Sequence, residues 1–500
     1  MLRSIWASWA IGAIGALAAA WPSVPASAQV VQAGASAPAA RLEARAAQCA
    51  AAPTPSEARR ATTAERVQAL ERSTQANPTL FWDWVELGRL YQETRRFAGA
   101  RRAGQQALAI ACDDAQRTAA LTGLAETAVA SGDPGEAMRR HLQTLALRRD
   151  MAAADAGAVS MQSAIADTLD RIGEVARMRG DPVHARESFQ ESLALRRRLV
   201  ARDPSASELK RDLALSLTRM GDLDLAQGNA EAAQALYEES LGLVRAVAGA
   251  DRSAAAQRSV LASLARIGEG ALAQNDLPRA RTIFEEGLTT ARRLAATAAG
   301  EAAPQREAAL FLERIGDVAL AQNDAITARA RYQESLDLRR LMAGADVSPG
   351  LMREVSVSHN KVGDALVAQG DLVGARANYE EALSIRRGLA VSEPNAPALM
   401  RDVHVSYSKI GDVAVHQGDY AGAQAAHREA LAIARRVAAA SPGPASNHDV
   451  WVSMWKLAEL SGGAAWGQLA ATMTEMQRRG ALAAADGPYL QQAERRANGR

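Results

Sequence analysis

The sequence predicts an all-α fold, a right-handed α-solenoid of helical hairpins with helical caps at its N- and C-terminal ends. Three observations carry that expectation. Most of the chain repeats itself every 47 or 48 residues, and apolar or small residues recur within each repeat at three- and four-residue steps. Between the two helical stretches of a repeat stands a Gly or Asn, followed by Asp or Asn. Of 500 residues, 48% are apolar and 23% charged, too apolar for disorder. Basic and acidic residues number 58 and 56, which excludes the basic excess of a nucleic-acid binder or a polybasic membrane surface. Two cysteines exclude a disulfide-dense scaffold and a cysteine-rich zinc cluster.

The repeat aligns on Leu87-Gly88, Leu124-Ala125, Ile172-Gly173, Met220-Gly221, Ile267-Gly268, Ile315-Gly316, Val362-Gly363 and Ile410-Gly411. Their second residues are spaced by 37, 48, 48, 47, 48, 47 and 48. Twelve residues beyond each stands an alanine, from Ala100 to Ala423, and twenty beyond each a leucine, from Leu108 to Leu431. Four before that leucine comes a ring: His141, Phe189, Tyr237, Phe284, Tyr332, Tyr379 and His427, with Gly104 as the exception. The small residue on one helix and the alanine on the next let two backbones approach, while ring and leucine fill the adjoining space. Gly132, Gly180, Gly228, Asn275, Asn323, Gly370 and Gly418 occupy the turn, where a helix ends in the left-handed conformation. The next residue, such as Asp133 or Asp276, is an N-cap for the second helix.

The N-terminus reads as a secretory signal peptide. Met1-Leu2-Arg3 is a short positive start, Ile5 to Trp21 is apolar, and Ala26-Ser27-Ala28 offers a cleavage site before Gln29. An uncleaved membrane anchor is the alternative reading. The expected organisation is a signal peptide at 1–28, a partly disordered Ala/Pro-rich segment at 29–55, a leading cap helix at 56–77, eight repeats at 78–440 and a divergent capping hairpin and helix at 441–500. Export gives the only two cysteines, Cys49 and Cys112, two open readings: a disulfide, or two unpaired buried thiols. Trp82, Trp84, Trp451, Trp455 and Trp466 lie at the two ends of the array and read as cap packing, with aromatic hot spots for a partner as the alternative.

The pattern resembles the tetratricopeptide repeat. The first unit is its fullest match, with Trp84, Leu87, Gly88, Tyr91, Ala100 and Ala107 at the spacings of that family. Later units keep the small, alanine and leucine columns but exceed the family's 34-residue period, as in long-helix bacterial scaffolds. The resemblance implies a scaffold that binds a protein or peptide along a concave surface built from the first helix of each hairpin.

No phosphate loop, zinc-protease motif, nucleophile elbow or calcium loop is present in the sequence, and the scattered histidines lack ligand spacing. No cofactor or metal is expected, and no enzyme. The most specific polar feature is a charge ladder. Two before the small residue stand Arg171, Arg219, Arg266, Arg314, Lys361 and Lys409, and one after it Glu174, Asp222, Glu269, Asp317, Asp364 and Asp412. Three-residue spacing makes the charges neighbours on a helix, and stacking brings each acid near the next repeat's base. The two columns then form rails that neutralise one another. The resemblance adds a second reading, in which part of the basic rail holds a partner's carboxylates. Arginine pairs late in the second helices, such as Arg196-Arg197 and Arg339-Arg340, read as complements of the helix dipole balanced by acids earlier in the same helix. The expected function is a periplasmic or secreted scaffold without nucleic-acid binding or membrane insertion. A membrane-tethered sensor arm and an unrecognised hydrolase are the alternatives.

Overall fold

The computed structural model describes residues 62–154, 158–297, 302–345, 347–393 and 396–499. The signal-peptide segment, the Ala/Pro-rich stretch and Cys49 lie outside the described residues, and with Cys49 the disulfide reading. Regular structure among the described residues is helical throughout, without a strand. The chain divides at Val247 and Ala248 into two compact units.

The N-terminal unit opens with α1 (Thr63–Ala76), started by a capping box in which Thr62 and Glu65 exchange hydrogen bonds. Four hairpins follow: α2 (Phe81–Glu93) with α3 (Phe97–Ile110), α4 (Asp114–Ala130) with α5 (Pro134–Ala154), α6 (Val159–Met178) with α7 (Pro182–Arg202), and α8 (Ser207–Ala226) with α9 (Ala230–Ala250). The C-terminal unit holds four more: α10 (Ala254–Ala273) with α11 (Leu277–Thr297), α12 (Ala302–Ala321) with α13 (Ala325–Ala345), α14 (Pro349–Gln369) with α15 (Leu372–Ser392), and α16 (Pro397–His416) with α17 (Tyr420–Ala440). It ends in α18 (Pro444–Ser461), α19 (Ala464–Arg478) and α20 (Gly487–Ala497). The first helix of a hairpin is its A helix, the second its B helix. Within each unit B helices pack both on their own A helix and on the A helix that follows. Each hairpin thus buries an apolar face it could not bury alone.

Helix length explains the long period. In the first hairpin the helices have 13 and 14 residues; in the third they have 20 and 21. Each helix gains seven residues, about two turns. The turn column behaves as its composition requires. Gly132, Gly180, Gly228, Gly370 and Gly418 have φ between 70° and 82°, and Asn275 and Asn323 have φ of 58° and 60°. The next backbone N–H closes back on the A helix, as from Asp133 to the Ala128 carbonyl at 2.8 Å, and the Asp133 carboxylate accepts from the Glu136 N–H at 2.9 Å.

The small column has a more specific cause than backbone approach. Each glycine lies under the ring of its own hairpin's B helix. A Cβ on Gly173 would stand 2.5 Å from Cε1 of Phe189, one on Gly221 the same distance from Tyr237, and one on Gly411 the same from His427. Those rings are at most 1% exposed, and burying one such side chain is worth about 1.5–3 kcal/mol. In the first hairpin the ring is missing, and Gly104 in its column gives way instead to Leu124 of α4.

The ends are closed as expected, with one departure. Trp451, Trp466, Leu469, Met473 and Leu490 form the core of the last three helices, and half-buried Trp455 packs on it. Trp84 packs in the first hairpin's core, but Trp82 is 44% exposed. Cys112 lies just beyond α3 and is half-buried. On α18, Ala458 and Lys456 stand 47 residues after Gly411 and Lys409, so this A helix keeps the repeat columns while α19 departs from them.

Gly173→Ala is expected to lower stability by about 1–3 kcal/mol, because Phe189 has no room to give way. Gly242→Ala, mid-helix in α9 with open space at its Cβ, should instead gain about 1 kcal/mol from helix propensity. Urea unfolding midpoints of the two variants check this, and a neutral Gly173→Ala would refute the ring constraint.

Candidate functional site: the A-helix face and the charges behind it

Basic residues of the predicted ladder bond to the acid of the preceding repeat. Arg171 pairs with Glu126, Arg314 with Glu269 at 2.9 Å, Lys361 with Asp317 at 2.5 Å and Lys409 with Asp364 at 2.6 Å. Lys456 of α18 extends the rail by pairing with Asp412. Two members differ. Arg219 reaches Asp170 at 2.7 Å, and Arg266 pairs within its own helix with Glu269 at 3.2 Å.

The acid rail also binds the rings. The Tyr237 hydroxyl donates to Asp222 at 2.8 Å, Tyr332 to Asp317 at 2.6 Å and Tyr379 to Asp364 at 2.7 Å. Burial first, and then the neighbouring aspartate, push the Tyr332 and Tyr379 phenols far above their usual range, so the hydroxyls remain donors. Lys361 and Lys409 also lie over those rings, 5.6 Å and 5.4 Å from the centroids. Where the ring is Phe189 or Phe284 the acid is Glu174 or Glu269; where it is tyrosine the acid is aspartate. The shorter carboxylate reaches the phenol, and the longer one turns to the cations. That co-substitution is legible in the sequence but was not drawn from it.

A second ladder, also missed, runs two turns earlier on the A helices. Arg353 of α14 bonds to Asp402 of α16 at 3.1 Å, Arg401 to Asp449 of α18 at 2.6 Å, and Arg258 of α10 lies 3.9 Å from Glu307 of α12. Here the base of one repeat meets the acid of the next, the reverse of the first ladder. The signal was an Arg-acid dipeptide at the repeat period, as in Arg306-Glu307, Arg353-Glu354 and Arg401-Asp402. Midway between the ladders stand Leu310, Val357, Val405 and Val452 of the C-terminal unit. Arg353, Val357 and Lys361 fall at four-residue steps and share one helix face. Leu310 is 38% exposed, and the three valines are half-buried. The face is therefore an apolar strip between two ladders of paired charges.

The arginine pairs find their partners on other helices rather than among the acids earlier in their own. In three of the pairs the first arginine turns inward, whereas Arg292 and Arg435, each the first of its pair, are exposed. Arg196, Arg339 and Arg386 are buried. Arg196 holds Asp170 at 3.1 Å, and Asp170 also receives Arg219 and, at 3.1 Å, Ser216. Arg339 pairs with buried Glu313 and donates to Ser358. Arg386 donates to Ser356 at 3.0 Å and to Ser406 at 2.9 Å. Outward-facing arginines bond to the following hairpin, Arg149 to Glu191 at 2.5 Å, Arg197 to Glu239 at 2.6 Å, Arg292 to Glu334, and Arg340 to His359 at 2.9 Å. Hairpin 5 replaces this polar node as a set. Ala265, Gly287 and Ala291 stand where hairpin 6 has Glu313, Ser335 and Arg339, and Phe311 where the next repeat has Ser358. Phe311 packs closely on Gly287 and lies 6.4 Å from Phe284.

His141, His359, His404 and His427 are core residues. His427 takes the ring position over Gly411, and burial holds it down to about 4. His141 is likewise held to about 4 by burial, with Arg171 and Arg148 adding to the effect. Among the described residues no group of three or more His, Cys, Asp or Glu is placed to hold a metal, and no helix is long and apolar enough to cross a membrane.

This geometry is a stack of tetratricopeptide-like hairpins in each unit. The tetratricopeptide-repeat family model matches residues 165–205 and 405–441, which lie in the third and eighth hairpins. No curated protein matches the chain. Among solved structures, it is similar to BtubC from P. vanneervenii at 18% identity, covering 51% of this chain and 92% of that one with a TM-score of 0.42. It is also similar to a signal-transduction ATPase with a tetratricopeptide-repeat sensor from Pyrococcus horikoshii, at 14% identity over 76% of this chain and 49% of that one, TM-score 0.42.

Glu313→Ala removes the closer of the two carboxylates on buried Arg339, leaving Glu354 at 3.6 Å, and should cost about 3 kcal/mol. Transplanting the whole apolar set, Glu313→Ala, Ser335→Gly, Arg339→Ala and Ser358→Phe, should return stability to within about 1 kcal/mol of the parent. Equal losses in both variants, read from urea unfolding, would refute a modular node. Acid should also destabilise the fold through His141 and His427. Their folded pKa lies below the unfolded value, so the unfolded chain binds more protons and stability rises with pH. The loss begins as pH falls below about 6.5 and saturates near 4, at about 3 kcal/mol or less per histidine. His427→Tyr, the residue hairpins 6 and 7 use, should flatten the dependence in that window, as measured by unfolding midpoints across pH.

Proposed function

We propose that the protein is a non-enzymatic exported scaffold that binds a protein or peptide segment along the A-helix face of its C-terminal unit. The observation that carries this reading is the strip of Leu310, Val357, Val405 and Val452 between two ladders whose charges already have partners. A ligand there gains from apolar side chains and backbone hydrogen bonds, and little from net charge. The similarity to tetratricopeptide-repeat proteins supports the class of function, and the tripartite N-terminus supports export to the periplasm or beyond.

A second reading gives the basic rail to a partner's carboxylates. It rests on exposure: the Arg171 and Arg266 side chains are 46% and 45% exposed, against 27–31% for Arg219, Arg314, Lys361 and Lys409. One capture experiment from the native envelope separates the readings. Leu310→Asp and Val405→Asp should each release the partner with helicity unchanged, and moderate salt should not. If Arg171→Glu and Arg266→Glu release it instead, and salt weakens it, the basic rail is the contact. A partner indifferent to all four changes overturns both. Mass spectrometry of the native N-terminus should find Gln29, and an intact Met1 would refute cleavage.

A further inference from the structure

The first hairpin departs from the other seven at its turn. Arg95 stands there at φ 58°, where the later hairpins have Gly or Asn. A side chain other than Gly, Asn or Asp is strained in that conformation, and such strain concentrates where a side chain is in use. Beside this turn, between α1 and the hairpin, lies a cleft of about 700 Å³, within the usual range of small-molecule sites, about 300–1,000 Å³. Trp84, Leu87, Tyr91, Phe97 and Ala103 line it with apolar surface, and Arg95, Arg96 and Arg102 add exposed positive charge.

The charges are unequal. Glu71 is the one carboxylate of the lining, against three arginines, which leaves a net charge of +2. Glu71 is already engaged, receiving the Tyr91 hydroxyl at 2.5 Å and Arg96 at 3.4 Å, while Arg96 also stacks 4.4 Å from the Tyr91 ring centroid. The Arg95 and Arg102 side chains make no hydrogen bond or ion pair among the described residues. Two unspent guanidinium groups therefore face an aromatic cleft, in a protein that elsewhere pairs its ladder arginines. The residues just before α1 have the wrong sign to fill it, with Arg41, Arg45, Arg59 and Arg60 against Glu43 and Glu57.

We propose that this cleft binds a small amphipathic carboxylate. Its acyl or aryl chain lies against Trp84, Leu87 and Phe97, and its head group pairs with Arg95 and Arg102. Guanidinium forks fit the two oxygens of a carboxylate, and the concave apolar wall takes a tail rather than an extended acidic chain. None of these residues belongs to the strip or ladders of the C-terminal unit, so the site stands or falls apart from the partner-binding face.

Laurate is the probe, with dodecanol as its uncharged match, titrated calorimetrically into the full mature chain below micellar concentration. Laurate should bind one to one, and dodecanol about tenfold more weakly or worse. Arg95→Gly relieves the turn, so it should raise the unfolding midpoint while weakening laurate about tenfold. Arg102→Gln should weaken laurate to a similar extent with the midpoint unchanged. Opposite movements of stability and affinity in Arg95→Gly cannot come from misfolding. Absent or non-saturating laurate binding, equal affinity for dodecanol, or full affinity in both variants would overturn the proposal. Tighter binding of an Asp/Glu-rich peptide than of laurate would overturn it too.

Discussion

Six of the eight hairpins, the third to the eighth, depend on a contact between a glycine of the A helix and an aromatic ring of the B helix. The ring needs the space a Cβ would fill, so the two helices can close only where the A helix presents bare backbone. Everything polar on that side follows from it. The residue after the glycine is carried to the edge of the ring, which is why Asp222, Asp317 and Asp364 meet a phenol. The cation of the next repeat then closes on the same carboxylate. Packing places the charges, and the charges then hold the register.

Electrostatics in this protein is largely internal. One ladder joins bases such as Lys361 and Lys409 to the acid of the repeat before, the other joins bases such as Arg353 and Arg401 to the acid of the repeat after, so sliding one repeat past its neighbour strains both. Behind the face, buried arginines join successive hairpins, and a charge held by hydrogen bonds or a carboxylate tolerates burial that a lone charge does not. The replacement of one such node by Ala265, Gly287, Ala291 and Phe311 shows that the joint can be filled with either chemistry, provided all its positions change together. What is left for binding is the surface these networks leave uncovered: an apolar strip in one unit, and an unevenly charged aromatic cleft at the start of the other.

Some of this was legible residue by residue. Gly180 and Asn275 announced a left-handed turn because few other residues adopt it, and Asp133 and Asp276 announced the caps beside them. Arg314 and Lys361 were placed on a ladder because i, i+3 spacing fixes a helix face. The arginine pairs misled, because adjacent helical residues point about 100° apart and local charge balance does not say which of the two turns inward. The partner of Arg196 is Asp170, 26 residues earlier on another helix, and that of Arg339 is Glu313, again 26 earlier. Arg95 passed unremarked for a related reason: a single exception in a column carries no period.

By itself, then, the sequence determined what depends on neighbours along the chain: two helices per repeat, their ends, the turn between them and the faces that must be apolar. These follow from backbone conformation and helical periodicity, which act within a few residues. Only the tertiary structure decided which charges are spent on one another and which remain. Pairing is set by distances between helices, and those distances are fixed by how deeply each ring settles onto its glycine.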